Sequence, residues 1–363
     1  MPKVAIIGTR GYPSFYGGFE TAVRKLAPYL ADQGWDVTVY SRARRGPNSG
    51  ADRRVRSVIT RGIETKSLST LSYGFTSAVH AAREKPDVAL VMNVANGFWL
   101  PILKARGVPA LVNVDGIEWD REKWGKVAKG VFKSGARFTA KWADQLVFDA
   151  HEIGRRWAHE FDRDGVFIPY GGDAPSSRLP VVTGLERRGY ILVVARFVPE
   201  NSIPQFFDAV ELLPSDLRVI IVGSSGYGGE LDERAEKLSQ TRPGVEWLGH
   251  VSDDQKLLSL WQNAGVYFHG HSVGGTNPAL VQAMAAGAPT LARDTPYNRE
   301  VLGDEATYTS PNAAEIASKL VKLLNDPDEM EANSMRGQRR AEAIYTWERV
   351  CSSYERSLRE LIA

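Results

Sequence analysis

Residues 4–30 read VAIIGTRGYPSFYGGFETAVRKLAPYL, and this stretch decides the fold class. Four apolar residues at 4–7 predict a buried strand, and the amphipathic pattern over 20–30 predicts a helix. The loop between them is rich in glycine. A strand, a glycine-rich loop and a helix in this order are typical of the first unit of a parallel sheet. The glycine spacing is not G-x-G-x-x-G, so the dinucleotide-binding fingerprint is absent.

The same alternation continues along the chain. Further strand-like apolar runs of the first half lie at 37–40, 88–92, 110–114, 146–148 and 166–168. The rhythm restarts in the second half, with runs at 190–195, 217–222, 245–248 and 266–268. Strands that alternate with helical patterns predict an α/β fold, built as two Rossmann-like, doubly wound parallel-sheet domains in tandem.

A stretch rich in glycine, proline and serine separates the two halves. Residues 169–177 read PYGGDAPSS, a composition typical of a linker. We therefore predict an N-terminal domain over 1–170 and a C-terminal domain over 171–346. The apolar residues of 347–361 recur at helical spacing. We expect this closing segment, 347–363, to pack back on the first domain.

Length and composition narrow the class of protein. The chain has 363 residues, more than one core usually supports, and its 43% hydrophobic and 24% charged residues are typical of a folded globular protein. Cys351 is the single cysteine, so no internal disulfide forms and the cytosol is the expected compartment. The N-terminal apolar run is too short for a signal peptide. We predict a cytoplasmic enzyme without a transmembrane anchor.

Charge is distributed unevenly between the halves. Residues 1–170 carry 26 Lys and Arg against 17 Asp and Glu, and the remainder carries 19 against 26. Basic residues recur every three or four positions over 126–141, interleaved with apolar ones. Such a helix either lies against an anionic membrane or presents a solvated face. Both interpretations stay open, the first placing the protein at the inner face of the cell membrane.

The loop 269–278, HGHSVGGTNP, is the richest in candidate ligand-binding residues. It joins an apolar run to a helical pattern, with Asn277 suited to cap that helix and Pro278 to begin it. N–H groups in such a position suit a diphosphate. His269 and His271 raise the question of a metal site, but a third ligand at suitable spacing is missing. We predict no metal.

Two further side chains follow predicted strands. Arg196 could neutralise charge that develops on a leaving diphosphate, or form a surface salt bridge. Asp115 stands where reactive side chains of open α/β sheets usually lie, or it caps a helix. The glycine-rich loop after the first strand either approaches a phosphate or sugar or is a long surface turn.

These segments together resemble the retaining glycosyltransferases of family 4, and more closely their rhamnosyltransferase-like branch. The resemblance runs nearly end to end. Its most specific parts are GTRG at 8–11 with YGGFET at 16–21, and GHSVGGTNP at 270–278. More general parts are DGIEW at 115–119 with KWG at 123–125, IPYGGD at 168–173, and ARFVPEN at 195–201.

The resemblance implies the GT-B fold, in which two Rossmann-like domains face a central cleft that holds a nucleotide-sugar donor. The implied catalytic residues are Asp115 and Arg196. The implied donor-binding residues are Gly17, Gly18, Arg196, Asn201, His271, Ser272, Gly274, Gly275, Thr276, Asn277 and Gln282. Within this set the glycines and the loop N–H groups approach the diphosphate, Arg196 binds it, and the nucleotide rests on the second domain.

The chain departs from the family pattern at four of these positions. The family has a lysine where Asn201 stands, and two glutamates eight residues apart where Gly274 and Gln282 stand. A histidine common near the reacting sugar aligns with Asp115. An amide such as that of Gln282 can still bind a ribose hydroxyl, but without charge.

The resemblance leads to one expected activity and several alternatives. We expect metal-independent, retaining transfer of a hexose or 6-deoxyhexose, with dTDP-rhamnose favoured, to a lipid-linked or polysaccharide acceptor, without a further cofactor or nucleic acid. Asp162-Arg163-Asp164 has the spacing of a metal-binding Asp-x-Asp motif, but we interpret it as a solvated turn. The alternatives are a nucleotide-sugar-binding or scaffold protein that has lost catalysis, a transferase using a UDP- or GDP-sugar, and a sugar-nucleotide 2-epimerase.

Overall fold

A computed structural model of the protein describes residues 1–14, 17–42, 51–64, 69–122, 124–226 and 228–363. The chain divides into two compact units. The first unit comprises Met1–Tyr170 and Trp347–Ala363, and the second unit comprises Gly171–Thr346. Tyr16 and Lys123, which belong to two of the sequence motifs, lie outside the described residues.

The first unit contains a seven-stranded parallel sheet flanked by helices. Its strands are β1 Lys3–Ile7, β2 Asp36–Ser41, β3 Arg56–Ile59, β4 Val88–Met92, β5 Ala110–Asn113, β6 Gln145–Phe148 and β7 Val166–Phe167. They lie in the order β3-β2-β1-β4-β5-β6-β7. Its helices before residue 170 are α1 Gly18–Asp32, α2 Ser69–Glu84, α3 Leu100–Lys104, α4 Lys126–Trp142 and α5 His151–Phe161.

The second unit repeats this architecture with six parallel strands. These are β8 Tyr190–Val194, β9 Arg218–Val222, β10 Val245–Trp247, β11 Val266–His269, β12 Thr290–Arg293 and β13 Thr307–Thr309, in the order β10-β9-β8-β11-β12-β13. Its helices are α6 Ile203–Leu212, α7 Glu230–Thr241, α8 Asp254–Asn263, α9 Pro278–Ala286, α10 Pro296–Leu302, α11 Ala313–Leu324 and α12 Pro327–Ile344.

The last helix, α13 Trp347–Glu360, packs on the first unit. Its buried face consists of residues one turn apart, Val350, Tyr354 and Leu358, which join the core formed with β1, β2, β4 and α1. At the edge of this contact, the indole N–H of Trp35 donates to Glu355 over 3.3 Å. The apolar residues that recur at helical spacing in the sequence therefore form the face of α13 that contacts the sheet.

Burial explains why the sequence reveals β4 but not β3. All five residues of β4 are buried, as expected for a strand covered by helices on both faces of a parallel sheet, and its apolar run is unbroken. The sequence pattern did not reveal β3, β12 and β13. β3 is a largely exposed edge strand, and β13 is a three-residue edge strand. The prediction of two parallel-sheet Rossmann-like domains is confirmed. Within the described ranges, every helix is too short or too polar to cross a bilayer.

Candidate functional site

In the second unit the strand order reverses between β8 and β11, since β9 and β10 lie to one side and β12 and β13 to the other. Loops at the carboxyl ends of strands beside such a point diverge and leave a crevice, where open α/β sheets bind their ligands. Here these are residues 195–202, the β8 loop, and residues 270–277, the β11 loop. Of the candidates in the second half, all except Gln282 lie in these two loops.

Hydrogen bonds hold the β11 loop against its neighbours. The backbone N–H and the hydroxyl of Ser272 both donate to the carbonyl of Glu200 in the β8 loop, over 2.9 and 3.0 Å. Asn298 of α10 donates to the carbonyl of His271 over 2.9 Å. Because these contacts come from two elements, the β11 loop has a defined position relative to the β8 loop.

The β11 loop leads directly into α9. Asn277 is the N-cap, its side-chain oxygen accepting from the N–H of Ala279 over 2.9 Å, and Pro278 is the first helical residue, so both predictions are confirmed. Gly274 has φ +111°, a backbone conformation that few residues other than glycine adopt. Gly275 is half-buried and Thr276 buried. The N–H groups of a helix start attract anions, so this segment can hold a phosphate.

Arg196 lies two residues beyond β8, and its side chain is exposed. Arg196 forms no ion pair with another described residue. Within the described residues, the structure therefore does not support the interpretation of a surface salt bridge. The carbonyl of Arg196 accepts from the Asn201 amide over 2.8 Å. The Asn201 side-chain oxygen lies 2.6 Å from Nδ1 of His271. Asn201 therefore links Arg196 to the β11 loop, although it lacks the charge of the lysine found in the family.

His269 is the buried end of β11. Its Nδ1 lies 3.0 Å from the hydroxyl of Tyr267, and its Nε2 is buried without a hydrogen-bond partner among the described residues. Burial lowers the pKa of His269 to about 3, so its ring is neutral at physiological pH. The rings of His269 and His271 have centroids 6.1 Å apart. Within the described ranges, no three His, Cys, Asp or Glu side chains are grouped to hold a metal ion.

The structure gives Gln282 a partner inside the second unit. Its side-chain oxygen accepts from the N–H of Asp173 over 3.0 Å, and its side-chain N–H donates to the carbonyl of Asp173 over 2.7 Å. Both ends of the amide are thus engaged by the linker backbone. A contact of Gln282 with a ribose, as the resemblance implies, would replace these two bonds and stays a prediction.

In the first unit, the glycine-rich loop after β1 ends at Gly17, the N-cap of α1, and Gly18 begins the helix. The carboxylate of Glu20, which the sequence analysis overlooked, is buried in the first turn and accepts from the N–H of Arg10 over 3.1 Å. A Cβ on Gly17 would lie 2.6 Å from that carboxylate. A diphosphate approaching Gly17 and Gly18 would meet this negative charge, and their donor role stays a prediction.

Asp115 follows β5 at the carboxyl edge of the first sheet and is half-buried. Its carboxylate accepts from the side-chain N–H of Asn93, over 3.3 Å. The interpretation of Asp115 as a helix cap is wrong, because Ile117 occupies the N-cap position of the short helix that follows, Glu118–Asp120, and that helix has no side-chain cap hydrogen bond. The side chain lies instead where parallel strands of this fold class present reactive groups.

Other polar residues at this edge were not singled out from the sequence. Asp149 follows β6 and is buried, and Tyr170, also buried, is the last residue of the unit's first segment. Burial, and next the negative charges of Asp115 and Asp149, raise the pKa of the Tyr170 hydroxyl well above its usual value. The signal available in the sequence was position, since Asp149 directly follows a predicted strand.

In the Asp162-Arg163-Asp164 segment, Arg163 donates to the carbonyls of Ala140 and Ala143, so this turn is partly packed.

Comparison with protein families gives one match for each half of the chain. Residues 17–171 match the glycosyl transferase 4-like domain, and residues 179–340 match glycosyl transferases group 1. Each half of the chain is therefore similar to one glycosyl transferase domain, and both halves have the parallel-sheet architecture described above.

Two of the curated relatives that the chain resembles are mannosyltransferases. The chain is 28% identical to O-antigen chain mannosyltransferase B of Escherichia coli over 184 residues, which are 48% of this chain and 47% of that protein. It is 32% identical to phosphatidyl-myo-inositol mannosyltransferase of Mycolicibacterium smegmatis over 193 residues, 50% of this chain and 48% of that protein. The chain thus spans about half the length of these curated relatives.

Solved structures share the fold over nearly the whole chain. Sucrose-phosphate synthase of Thermosynechococcus elongatus superposes with a TM-score of 0.79 at 17% identity, covering 99% of both chains. HepE of Anabaena in complex with UDP-glucose superposes with a TM-score of 0.77 at 13% identity, also over 99% of both. At these identities the likeness establishes the fold alone.

Proposed function

We propose that this protein transfers a sugar from a nucleotide donor to a lipid-linked or polysaccharide acceptor, with retention of configuration. The observation that carries the proposal is the pairing of Arg196 with the β11 loop on the two sides of the strand reversal in the second unit. A cationic side chain and helix-start N–H groups on two loops that are hydrogen-bonded together suit a diphosphate. The family matches to both halves of the chain support the same activity.

The chemistry assigned to these residues is stabilisation of a leaving group. The bond between the anomeric carbon and the diphosphate oxygen breaks, and the diphosphate takes the electron pair. An acceptor hydroxyl oxygen bonds to that carbon, and its proton passes to the departing diphosphate. Arg196 and the N–H groups after Gly274 stabilise the negative charge on the diphosphate. Asp115 orients the acceptor or stabilises positive charge on the sugar ring.

Two donors are the leading candidates. The resemblance to the rhamnosyltransferase-like branch favours dTDP-rhamnose. The names of the relatives favour a mannose donor, for which GDP-mannose is the test compound. We propose dTDP-rhamnose first, with GDP-mannose as the alternative.

A panel of nucleotide sugars and nucleoside diphosphates tests the proposal by thermal shift. A ligand at 100 times its Kd stabilises the folded state by about 2.7 kcal/mol, so the melting temperature should rise selectively with the correct nucleotide. We expect the largest rise with dTDP or dTDP-rhamnose, followed by release of the diphosphate when an acceptor extract is added. A rise in melting temperature with GDP compounds alone would indicate that the donor is a GDP-sugar and not dTDP-rhamnose. No rise with any nucleotide would contradict the donor-binding assignment.

A second candidate function is nucleotide-sugar binding without turnover. It is favoured by the departures from the family pattern at Asn201, Gly274 and Gln282, and by the engagement of the Gln282 amide with the linker. This candidate predicts a thermal shift without transfer, whereas the proposed transferase gives both.

We further propose that the first unit contacts an anionic membrane through α4. A lipid-linked acceptor would lie in that membrane. The helix carries five basic residues and no acidic one. Beside it, aromatic rings form a row across α2, the turn Val94–Trp99 and α4, with successive centroids 5.0, 6.3 and 5.1 Å apart: Phe75, Trp99, Phe98 and Phe138. Phe75 and Phe138, at the two ends of the row, are 44% and 41% exposed. Exposed rings beside cationic side chains suit the interface of an anionic bilayer.

Reversal of charge on α4 should abolish this contact. Each basic residue near an anionic surface contributes about 1 kcal/mol, so changing Lys126, Arg137 and Lys141 to Glu should weaken binding by about a hundredfold or more. Co-sedimentation with phosphatidylglycerol vesicles at low salt measures it, with phosphatidylcholine vesicles as the lipid control. The matched protein control reverses Arg53, Arg83 and Lys85, which are exposed elsewhere on the first unit. Equal binding of the two triple variants would contradict α4 as the contact.

A further inference from the structure

Asp115 is held in a backbone conformation that residues with a side chain rarely adopt. Its φ is +63°, and Asn93, which follows the neighbouring strand β4, has φ +72°. Both values fall in the left-handed region. Residues persist in that region when their surroundings hold them there, and they cluster at functional sites. The contacts that hold Asp115 therefore bear on its role.

Two asparagines fix Asp115 from opposite ends. The side-chain oxygen of Asn113 accepts from the N–H of Asp115 over 2.9 Å. The side-chain N–H of Asn93 donates to the Asp115 carboxylate over 3.3 Å, and the Asn93 backbone N–H donates to the Asn113 carbonyl over 2.9 Å. The first bond sets the backbone of Asp115 and the second sets the direction of its carboxylate.

The side-chain amide of Asn113 is hydrogen-bonded to the C-terminal helix. Its N–H donates to the hydroxyl of Tyr354 over 2.6 Å, across 241 residues of sequence. Asn113 is 3% exposed and Tyr354 is 2% exposed, so the bond is shielded from water. If the amide were turned over, its NH2 group would face the N–H of Asp115, two donors together. The N–H of Asp115 thus selects this orientation, and the hydroxyl of Tyr354 gives the buried NH2 group its hydrogen-bond partner.

We propose that Tyr354 is a positioning residue for Asp115, acting through Asn113. This inference rests on the proposed function, in which Asp115 contacts the acceptor or the reacting sugar. In this proposal α13 covers the core and also determines the geometry of Asp115, at the carboxyl edge of the first sheet. Removing the hydroxyl leaves the buried NH2 group of Asn113 without its acceptor, so the amide shifts and the turn at Asp115 relaxes.

The variant Tyr354→Phe tests this, with Tyr40→Phe as the matched control. Tyr40 is also a buried tyrosine of the first unit, and its hydroxyl lies 3.1 Å from a side-chain nitrogen of His80 rather than near Asp115. We expect Tyr354→Phe to lower kcat about tenfold to a hundredfold, because small misplacements of a reacting group cost that much. The KM for the donor should stay unchanged. Tyr40→Phe should leave both constants unchanged.

Amide hydrogen exchange supplies a readout that does not need turnover. Exchange of the segment 113–117 should be about tenfold faster in Tyr354→Phe than in the wild type, and unchanged in Tyr40→Phe, because local opening governs exchange. Asn113→Ala should give the same kinetic loss, and combining it with Tyr354→Phe should add nothing further, since both break one chain of contacts.

The outcomes separate the inference from the function on which it rests. A wild type that transfers sugar, together with a Tyr354→Phe variant of unchanged kcat and unchanged exchange at 113–117, would overturn the role of Tyr354 and leave the transferase standing. A wild type that transfers no sugar would overturn the proposed function. Exchange at 113–117 would then still decide whether Tyr354 holds the Asp115 turn.

Discussion

Arg196→Ala is expected to lower kcat/KM for sugar transfer by about a hundredfold to a thousandfold, the usual effect of removing one group that stabilises a developing negative charge. Arg196 is exposed on the β8 loop, which Asn201 joins to the β11 loop, and no ion pair with a described residue offsets its charge. Its loss should also reduce the thermal shift given by the nucleoside diphosphate. Initial rates with the donor found in the panel, and the shift itself, measure the two effects.

Two variants sharpen this result. Arg196→Lys keeps the charge but loses the planar fork that binds two oxygens at once, so its activity should fall between those of the wild type and the alanine variant. Arg187→Ala removes another exposed arginine of the second unit and should leave kcat/KM unchanged. Wild-type activity in Arg196→Ala would show that the diphosphate is held elsewhere.

Gly8→Ala is expected to lower the free energy of unfolding of the first unit by about 4 kcal/mol, in the range that only severe packing or backbone conflicts reach. Gly8 directly follows β1 and has φ +96°, and a Cβ there would lie 2.2 Å from the carbonyl oxygen of Met92 and 2.6 Å from the side-chain nitrogen of Asn96. Those two atoms are themselves hydrogen-bonded over 2.7 Å, so neither can move away without losing a buried bond.

Gly34→Ala is the control that separates backbone strain from close packing. Gly34 has φ +81°, but a Cβ there would meet nothing within 4 Å. Its substitution should cost only the strain of a left-handed residue, about 1 to 2 kcal/mol. Urea unfolding followed by fluorescence compares the two variants. Equal losses in the free energy of unfolding would contradict a destabilising contact between a Cβ at Gly8 and the end of β4.

Parts of the candidate site were predictable because they depend on neighbours in sequence. The cap at Asn277 and the helix start at Pro278 follow from the preferences of those residue types, and the structure confirms both. The apolar run of β4 predicted a buried strand for a similar reason. In each case the physical cause acts within a few residues.

Other parts were out of reach because they depend on which elements meet. The family pattern has a lysine at the position of Asn201, and only the folded chain shows that its amide joins Arg196 to His271. The family resemblance implies a ribose contact for Gln282, whereas the structure shows its amide bonded to the backbone of Asp173. The carboxylate of Glu20 was overlooked because acidic residues are common in first helical turns, where they favour the helix dipole.

By itself, the sequence determined that this chain alternates strands and helices, that it divides near residue 171, and that glycine-rich or helix-capping segments follow several strands. Tertiary structure alone decided that the β8 and β11 loops lie on the two sides of the strand reversal, and that Tyr354 reaches Asn113 across 241 residues. The reason is physical. Local patterns reflect backbone preferences and the burial of one face, whereas strand order and the pairing of distant side chains follow from how all the elements pack together.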